Sequence, residues 1–425
     1  MKKVLIITYY WPPAGGPGVQ RWLKFAKYLP EFQVEPHIYT PENPNFPLID
    51  KSLEKEVQPD WKVIKQPIWE PYQLAQRITK KTQDHSAGFY EEAKNQSLGS
   101  KVSLFIRGNF FIPDARRFWI RPSIRFLKKY IAENQIDTII SSGPPHSMHL
   151  IALGLKKEFP NLNWIADFRD PWTNIYYYKS LKLTSWADKK HHQLELEVLN
   201  SADAIITVTD DYKENYQALT TQPVYCLTNG FDSEDQLSDI ELDKRFSIAY
   251  IGAMFKERNP YVLWEVLAEL CDENQSFKED LLIKFIGKFD NSVTEAIAQN
   301  HLQQNVEDKG YLPHEQAVIE QHRSQVLLMV NTDHPEKKGN IPGKIFEYIG
   351  AQRPVIAFGP ADSQIEKILV ESHAGKHFLF TDKVALKQHI QELYHQYKQG
   401  NLSVKTQKLE QYNRKNITEN LVKLL

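Results

Sequence analysis

Four short runs in the first half of the chain are apolar on both sides of a β-strand pleat, and they constrain the fold more than any other feature. They are VLIIT (4–8), DTIISS (137–142), NWIADF (163–168) and DAIITVT (203–209). Stretches with helical periodicity separate them, at 19–29, 147–158 and 186–200. Strands of this kind are typical of a parallel sheet whose two faces are both covered by helices. The first half therefore predicts a Rossmann-like α/β domain.

The same pattern begins again in the second half of the chain. The apolar runs are FSIAYIGAM (246–254), LLIKFIG (281–287), QVLLMVN (325–331) and PVIAF (354–358). At 425 residues the chain exceeds the roughly 250–300 residues that one core usually serves. The acidic, turn-rich stretch 229–245 separates the two patterns.

We therefore predict a two-domain α/β protein. The predicted parts are a first domain at 1–238, a linker at 239–245, a second domain at 246–402 and a last helix at 403–425 that could cap either domain. Residues 68–112 are largely polar and patternless, so we expect an insertion at about 68–130.

Charge and cysteine content exclude several classes of function. Lys and Arg total 52 against 53 Asp and Glu, so no global field favours nucleic acid as a partner. Cys226 and Cys271 are too isolated for a disulfide framework or a zinc site. No apolar run approaches the roughly 20 residues that span a bilayer. We predict a cytoplasmic protein, with contact at the inner membrane face left open.

A glycine-rich loop follows the first predicted strand, in TYYWPPAGGPGVQRW (8–22). Its candidate residues are Gly15, Gly16, Gly18 and Arg21. The dinucleotide fingerprint needs a third glycine where Arg21 stands, which disfavours NAD or FAD. Bare backbone and a helix N terminus suit an anion instead. A simple turn between strand and helix remains the alternative.

Several further stretches resemble glycosyltransferase family 4. They are SADAIITVTDDY (201–212), LTNGFD (227–232), YIGAMFKERNP (250–260) and GNIPGKIFEYIGAQRPVIAF (339–358), taken together with PPAGGPGVQR. The resemblance implies the GT-B fold, in which two Rossmann-like domains face each other across a cleft. It also implies a UDP- or GDP-sugar donor, a glycan or lipid-linked acceptor, surface polysaccharide biosynthesis and retention of configuration.

The donor site that the resemblance implies lies mainly in the second domain. Its candidate residues are Gly252, Lys256, Arg258, Gly343, Lys344 and Glu347. A guanidinium can bind two phosphate oxygens at once, so Arg258 is the better candidate for the diphosphate. Lys344 stands in the first turn of a predicted helix, where a cation is favourable only beside an anion. In the family, the glutamate at the place of Glu347 holds the ribose hydroxyls.

The sequence departs from the family at one position. The E-x7-E motif of family members would place its first glutamate at Gly339, and Glu336 is displaced from that position. The alternatives are therefore an epimerase-like GT-B enzyme or a non-catalytic subunit that binds a nucleotide-sugar. An NAD-dependent enzyme is the least favoured.

Candidates in the first domain follow two predicted strands. DFRDPWTN (167–174) offers Asp167 and Arg169 for catalysis, and Asp170 and Trp172 for acceptor contacts. His146, in SSGPPHS (141–147), is a third catalytic candidate. An Arg–Asp pair that only holds the loop, and a structural histidine, are the alternatives.

Two further expectations concern metals and membranes. No Asp-x-Asp triplet occurs in the chain, so we expect no catalytic metal and no cofactor besides the donor. Residues 101–130 carry eight Lys or Arg, seven aromatic residues and one acidic residue, Asp114. Such a segment suits an anionic membrane surface. A core helix with a solvated basic face is the alternative, since Pro113 and Pro122 would interrupt a long amphipathic helix.

Overall fold

The chain forms two compact units in a computed structural model that describes residues 1–46, 48–71, 98–237 and 240–425. The first unit comprises Met1–Thr228 and Arg414–Leu425, and the second comprises Asn229–Asn413. The sequence pattern placed residues 229–238 in the first domain. They belong to the second unit because Phe231 is buried in its core, against Ile345 and Tyr348 among others.

The first unit contains a seven-stranded sheet in which every neighbouring pair of strands is parallel. Its strands are β1 (Lys2–Ile7), β2 (Val34–Pro41), β3 (Lys62–Gln66), β4 (Thr138–Gly143), β5 (Asn163–Phe168), β6 (Ala204–Thr207) and β7 (Val224–Cys226). Their order in the sheet is β3-β2-β1-β4-β5-β6-β7. The helices that accompany them are α1 (Pro17–Tyr28), α2 (Leu98–Phe110), α3 (Arg117–Asn134), α4 (Ser147–Glu158), α5 (Ser185–Ser201) and α6 (Asp210–Gln217).

Both faces of this sheet are covered, as the unbroken apolar runs predict. Leu5 and Ile7 belong to one core cluster, whereas Val4 and Ile6 belong to another. Successive side chains of a strand point to opposite faces, so the two clusters lie on opposite sides of the sheet. Each face therefore has its own helix layer.

The segment expected to be an insertion includes part of the domain core. Helix α3 packs against α4, and its Trp119, Leu127 and Ile131 are buried in the same cluster as strand β1. Pro122 lies inside α3 without ending it, while Pro113 lies between α2 and α3. Residues 72–97 of the predicted insertion lie outside the described residues.

The second unit repeats the architecture with six parallel strands. They are β8 (Phe246–Met254), β9 (Leu281–Phe289), β10 (Val306–Asp308), β11 (Val326–Val330), β12 (Val355–Phe358) and β13 (Gly375–Phe378), in the order β10-β9-β8-β11-β12-β13. Its helices are α7 (Tyr261–Glu273), α8 (Gln275–Asp280), α9 (Asn291–Gln299), α10 (His314–Arg323), α11 (Lys344–Gly350), α12 (Gln364–Ser372) and α13 (Lys383–Lys398).

The last helix of the chain, α14 (Arg414–Val422), belongs to the first unit. Its Ile417 and Leu421 are buried with Val19 and Leu23 of α1. The amphipathic spacing of both helices brings these side chains to one shared face. Among the described residues, no helix combines the length and the apolar character needed to cross a membrane.

Candidate functional site

The loops after β1, β4 and β5 carry the candidate residues of the first unit. These three strands are neighbours in the sheet and run in the same direction. Their carboxyl ends therefore lie side by side, which is where open α/β sheets bind ligands. The glycine loop, His146 and the Asp167–Trp172 segment are brought to this edge.

Asp167 and Arg21 form a buried ion pair. Arg21 donates from Nη2 to Asp167 Oδ1 at 3.0 Å, and its Nη1 donates to the carbonyl of Leu227 at 2.9 Å. The other oxygen of Asp167 accepts from Trp22 Nε1 at 2.7 Å and from Ser142 Oγ at 2.8 Å. The Asp167 side chain has no exposed surface. This geometry makes Asp167 and Arg21 residues that hold the loops, with no access for a substrate in this structure.

Arg169 lies against the bare backbone of Gly18. A Cβ atom at Gly18 would overlap the guanidinium of Arg169. The same guanidinium donates to the carbonyl of Pro144 and lies 5.6 Å from the centroid of the Tyr10 ring. Glycine at position 18 is therefore needed for the close approach of a cation to the first turn of α1.

The other two glycines of the loop occupy different surroundings. The Gly15 N–H donates to the carbonyl of Leu48 at 2.9 Å, which ties this loop to the segment after β2. Gly16 is the N-cap of α1, and no described side chain caps that helix end. The first turn of α1 also contains no acidic residue. Its N terminus thus presents positive potential beside Arg169.

His146 and Trp172 are packed together inside the first unit. Their rings stack with centroids 4.7 Å apart and planes 3° from parallel. Trp172 is 3% exposed and donates from Nε1 to His191 Nδ1 at 3.0 Å. Burial, with the charges of His149, His191 and Arg169, holds the pKa of His146 well below its usual range. Trp172 therefore cannot stack on a sugar here, and His146 is uncharged at neutral pH.

His149 is a buried residue that the sequence pattern did not single out. Its Nδ1 lies 2.9 Å from Ser141 Oγ, which in turn accepts from Trp164 Nε1 at 2.9 Å. Burial, followed by the charge of Arg169, lowers the pKa of His149 to about 3. This imidazole stays neutral and helps to fix the end of β4.

Asp170 is the carboxylate of this loop that remains partly accessible. It is half-buried, and no described side chain or backbone group hydrogen-bonds to it. The pKa of Asp170 is raised, mainly by burial and further by the charge of Asp167, although the charge of Arg169 acts in the opposite direction. A half-buried carboxylate that makes no hydrogen bond with the described residues is suited to accept one from a substrate hydroxyl.

The second unit brings Lys344 to the end of β8. Lys344 Nζ donates to the carbonyl of Ile251 at 2.8 Å and lies 4.0 Å from the centroid of the Tyr250 ring. A Cβ at Gly252 would lie 3.2 Å from Nζ. Burial, together with the nearby charge of Arg258, lowers the pKa of Lys344. A second anchor is Tyr348 of α11, whose hydroxyl accepts from the Ile251 N–H at 3.2 Å.

Two glycines leave the backbone near the end of β8 without side chains. Gly252 and Gly287 are register partners on β8 and β9, with φ angles of 122° and 134°. A Cβ at Gly287 would overlap the carbonyl of Gly252. Side chains other than hydrogen are thus excluded at this point, and a ligand can approach the backbone next to Lys344.

Glu347 and Arg258 offer unused hydrogen-bonding groups beside Lys344. Glu347 Oε2 accepts from Gln321 Nε2 at 3.0 Å, while no described group bonds to Oε1. Arg258 is half-buried in a short turn, Lys256–Arg258, and no described side chain pairs with it. Lys256 is exposed in the same turn. Gly343 precedes α11, and a Cβ there would meet no atom within 4 Å.

Asn331, directly after β11, holds the loop that contains Gly339. Asn331 Nδ2 donates to the carbonyl of Asn340 at 3.4 Å. Gly339 itself is buried, and Glu336 lies on an exposed turn three residues earlier. Among the described residues, no three His, Cys, Asp or Glu side chains are grouped so that they could hold a metal ion. Metal-independence stays a prediction.

The sequence pattern missed the residues that hold the candidates in place. Ser142 and Trp22 fix Asp167, Gln321 fixes Glu347, and Tyr250 supports Lys344. Trp22 directly follows Arg21 in the sequence, and a tryptophan whose indole N–H needs an acceptor was the one local indication. Gln321 lies 26 residues from Glu347, and nothing local connects them.

Comparisons with known proteins establish the fold. No protein-family model matches the chain, and no curated protein matches it. Sucrose-phosphate synthase from Thermosynechococcus elongatus matches with a TM-score of 0.63 at 12% identity, covering 100% of this chain and 98% of that one. Anabaena HepE in complex with UDP-glucose matches at 0.58 and 11% identity, covering 100% and 99%.

A third solved structure is that of a Listeria monocytogenes protein assigned as a candidate UDP-N-acetylglucosamine 2-epimerase. It matches with a TM-score of 0.56 at 13% identity, covering 99% of this chain and 95% of that one. Likenesses at this identity speak for the fold alone, and the reaction has to be argued from the site. With its two parallel sheets and these neighbours, the chain has the GT-B fold, as its sequence predicted.

Proposed function

We propose that this protein is a glycosyltransferase of family 4 that moves a sugar from a UDP- or GDP-sugar to a glycan or lipid-linked acceptor. The observation that carries the proposal is the group formed by Lys344, Arg258 and Glu347 around the bare end of β8. The two cations suit the diphosphate, and the Glu347 carboxylate, one oxygen of which accepts from Gln321, suits the ribose hydroxyls. Structural neighbours that include a UDP-glucose complex are consistent with it.

Each group of the second unit has a distinct role in this proposal. Arg258 binds the diphosphate through two N–H groups, and Lys344 contributes a second positive charge. Glu347 uses its free Oε1 to accept from a ribose hydroxyl while Gln321 holds Oε2. The glycines at 252 and 287 let the phosphates approach the backbone.

The proposed reaction is substitution at the anomeric carbon with retention of configuration. The bond from that carbon to the diphosphate oxygen breaks, and its electron pair stays with the diphosphate. The acceptor hydroxyl oxygen binds the same face of the carbon, and its proton passes to the departing diphosphate. Lys344 and Arg258 stabilise the negative charge that develops on the leaving group, without a metal ion.

The first unit is proposed to hold the acceptor. Arg169 and the uncapped N terminus of α1 offer positive potential to a phosphate group of a lipid-linked acceptor. Asp170 accepts from the acceptor hydroxyl and orients it. Asp167, Arg21 and His146 support these groups from inside the unit instead of contacting the substrate.

Contact with the inner membrane face is the finer part of this proposal. Arg117, Phe118, Phe110 and Trp69 form an exposed surface, in which Arg117 donates to the carbonyl of Phe110 and Trp69 packs on Phe118. We call these four residues, with Arg121, the aromatic–basic surface. Exposed aromatic rings next to arginines suit an anionic lipid surface. A cytoplasmic site for surface polysaccharide synthesis would agree with this.

The experiment that tests the proposal measures release of nucleoside diphosphate from a panel of UDP- and GDP-sugars. The reaction contains a lipid extract as a mixed acceptor, with Mg²⁺ in one arm and EDTA in the other. We expect release from one donor in both arms, and a loss of more than tenfold in Arg258→Ala. The control is Lys367→Ala, an exposed cation elsewhere in the second unit. Absence of release from every donor would contradict the proposal.

An epimerase is the second candidate, because the Listeria monocytogenes neighbour shares the fold. An epimerase needs no acceptor. Conversion of the nucleotide-sugar into an isomer without added acceptor, detected by chromatography, would favour it over transfer.

A further inference from the structure

The first unit contains a groove that neither the donor group nor the glycine loop uses. Its volume is about 330 Å³, and it lies between α5, α6 and the loop that follows β5. Ligand cavities in proteins range over roughly 300–1,000 Å³, so this groove suits one small group. Its lining includes Thr173 and Asn174 of the same loop that carries Asp170.

The floor of the groove is polar and hydrogen-bonded. The Glu195 carboxylate accepts from Thr173 Oγ1 at 2.5 Å and from the Tyr216 hydroxyl at 3.2 Å. The Tyr216 hydroxyl also accepts from the Trp172 N–H at 3.1 Å. Glu195 is 2% exposed, and burial raises its pKa. These bonds fix the loop after β5 to helices α5 and α6.

The rim of the groove combines apolar and hydrogen-bonding groups. Leu196 and Leu219 are 40% and 48% exposed, and the ring of Tyr212 lies with them. Asn174 is exposed and makes no hydrogen bond with the described residues. Among the described residues that line the groove, none is Lys or Arg. A phosphate or another anion therefore has no lysine or arginine counter-charge at the groove.

A neutral sugar matches this combination. Its ring carries apolar C–H faces that pack on tyrosine and leucine side chains, and its hydroxyls pair with amide groups. An anionic ligand would be disfavoured by the buried carboxylate of Glu195. The groove also adjoins Asp170, because Pro171, the next residue in the chain, lines it.

We propose that this groove is an acceptor subsite that holds a neutral sugar residue of the acceptor glycan beside Asp170. The inference rests on the proposed glycosyltransferase function and names the chemical class of the acceptor end. It assigns specificity for the acceptor to Asn174, Tyr212 and Leu219, which no other part of the proposed mechanism employs.

The test is ligand-observed NMR of the full-length protein with methyl glycosides of glucose, galactose, mannose and N-acetylglucosamine, and with glucose 1-phosphate. Leu219→Trp fills the groove from its exposed rim, and Asn174→Ala removes one amide. The matched control for the tryptophan is Val384→Trp, at a side chain that is 73% exposed in the second unit. We expect at least one methyl glycoside to bind, and its affinity to fall at least tenfold in both groove variants but not in the control.

Three results would overturn the inference. These are no binding by any glycoside, binding that Leu219→Trp leaves unchanged, and glucose 1-phosphate competing as strongly as the neutral glycoside at this groove. Binding of UDP and GDP is measured on the same samples. Nucleotide binding with no glycoside binding would remove the groove proposal and leave the donor site standing, whereas loss of both would remove the proposed function as well.

Discussion

Gly18 and Gly252 each allow a positively charged side chain to approach the backbone closely. Gly18 lies in the first turn of α1, and Gly252 lies near the end of β8. In the first unit the cation is Arg169, and in the second it is Lys344. Any larger side chain at Gly18 would occupy the space of the guanidinium. The glycine loop of TYYWPPAGGPGVQRW therefore makes room for a charged side chain of the protein itself.

The Gly18–Arg169 contact predicts a coupled pair of substitutions. Gly18→Ala removes a glycine from a helix and would ordinarily add up to about 1 kcal/mol of stability. Here we expect the free energy of unfolding to fall instead by about 1–3 kcal/mol, the range found for overpacking. In the double variant Gly18→Ala/Arg169→Ala the overlap is absent, so most of that loss should be restored. Urea unfolding of the four proteins measures the coupling, and strictly additive effects would contradict the contact.

The buried His149 predicts how stability depends on pH. Its folded pKa, about 3, lies below the usual histidine pKa of 6.5, so the unfolded chain binds a proton that the folded chain does not. Stability is therefore full above pH 6.5 and is lost as the pH falls toward 3, by up to about 1.4 kcal/mol per pH unit for one group. His146 and His191, whose pKa values burial also lowers, act in the same direction.

Urea unfolding at a series of pH values tests this expectation. His149→Gln should have a shallower decline than the wild type between pH 6 and pH 4, by about 1 kcal/mol per pH unit. His192→Gln, at a side chain that is 51% exposed, is the matched control and should follow the wild type. Parallel curves for His149→Gln and the wild type would mean that His149 does not contribute.

At the scale of elements, the arginines at the start of α3 divide into one that pairs with a buried carboxylate and two that are exposed. Arg116 is pinned inside the unit, because its Nε lies 2.9 Å from Oε1 of the fully buried Glu70 and its guanidinium stacks on Tyr9. Arg117 and Arg121 are exposed beside Phe118 and Phe110. The basic segment therefore contains one structural arginine and a separate aromatic–basic surface.

That surface predicts selective binding to anionic vesicles. One arginine near an anionic membrane contributes about 1 kcal/mol, so Arg117→Glu/Arg121→Glu should reduce binding at least tenfold. Vesicle flotation with and without phosphatidylserine measures the effect, and Lys51→Glu/Lys55→Glu is the control with an equal change of charge. No flotation of the wild type, or equal flotation of both double variants, would contradict membrane contact.

The sequence predicted the strands well because a strand buried on both faces has an unmistakable composition. Strand β4 was expected at 137–142 and lies at Thr138–Gly143, and β5 was expected at its observed bounds, 163–168. Five strands, β2, β3, β7, β10 and β13, have no counterpart among the predicted runs. Strands β7, β10 and β13 have only three or four residues, which carry little pattern, and charged residues or proline interrupt the apolar pattern of β2 and β3. In the candidate site, the roles of Arg258, Lys344 and Glu347 stay predictions. Burial of Asp167 and Trp172 was not predictable, because it depends on Arg21 and Trp22 of α1 and on His146 of the loop after β4.

At the scale of the whole molecule, the chain passes from one unit to the other and then returns. Strands 1–7 form the first unit, strands 8–13 form the second, and α14 rejoins the first unit. The terminal helix thus contributes to a core that began about 400 residues earlier in the chain, with Val19 and Leu23 of α1. Its sequence alone left open which unit it would cap.

Leu421 tests this return of the chain. It has no exposed surface, so Leu421→Ala should cost about 2–5 kcal/mol of the unfolding free energy of the first unit. Trp186→Ala, at a side chain that is 68% exposed, is the control and should change little. Urea unfolding followed by tryptophan fluorescence measures both variants. An unchanged midpoint for Leu421→Ala would show that α14 does not pack on α1.

The central claim, that the second unit holds a nucleotide through Arg258 and Glu347, is tested most directly by calorimetric titration. UDP and GDP are titrated into the wild type, Arg258→Ala, Glu347→Gln and the control Lys367→Ala, with EDTA present. We predict that one of the two nucleotides binds the wild type and the control alike. Arg258→Ala should weaken binding at least tenfold, since a charge-assisted hydrogen bond contributes about 1.5–3 kcal/mol. Absence of binding by both nucleotides, or binding that neither substitution weakens, would contradict the claim.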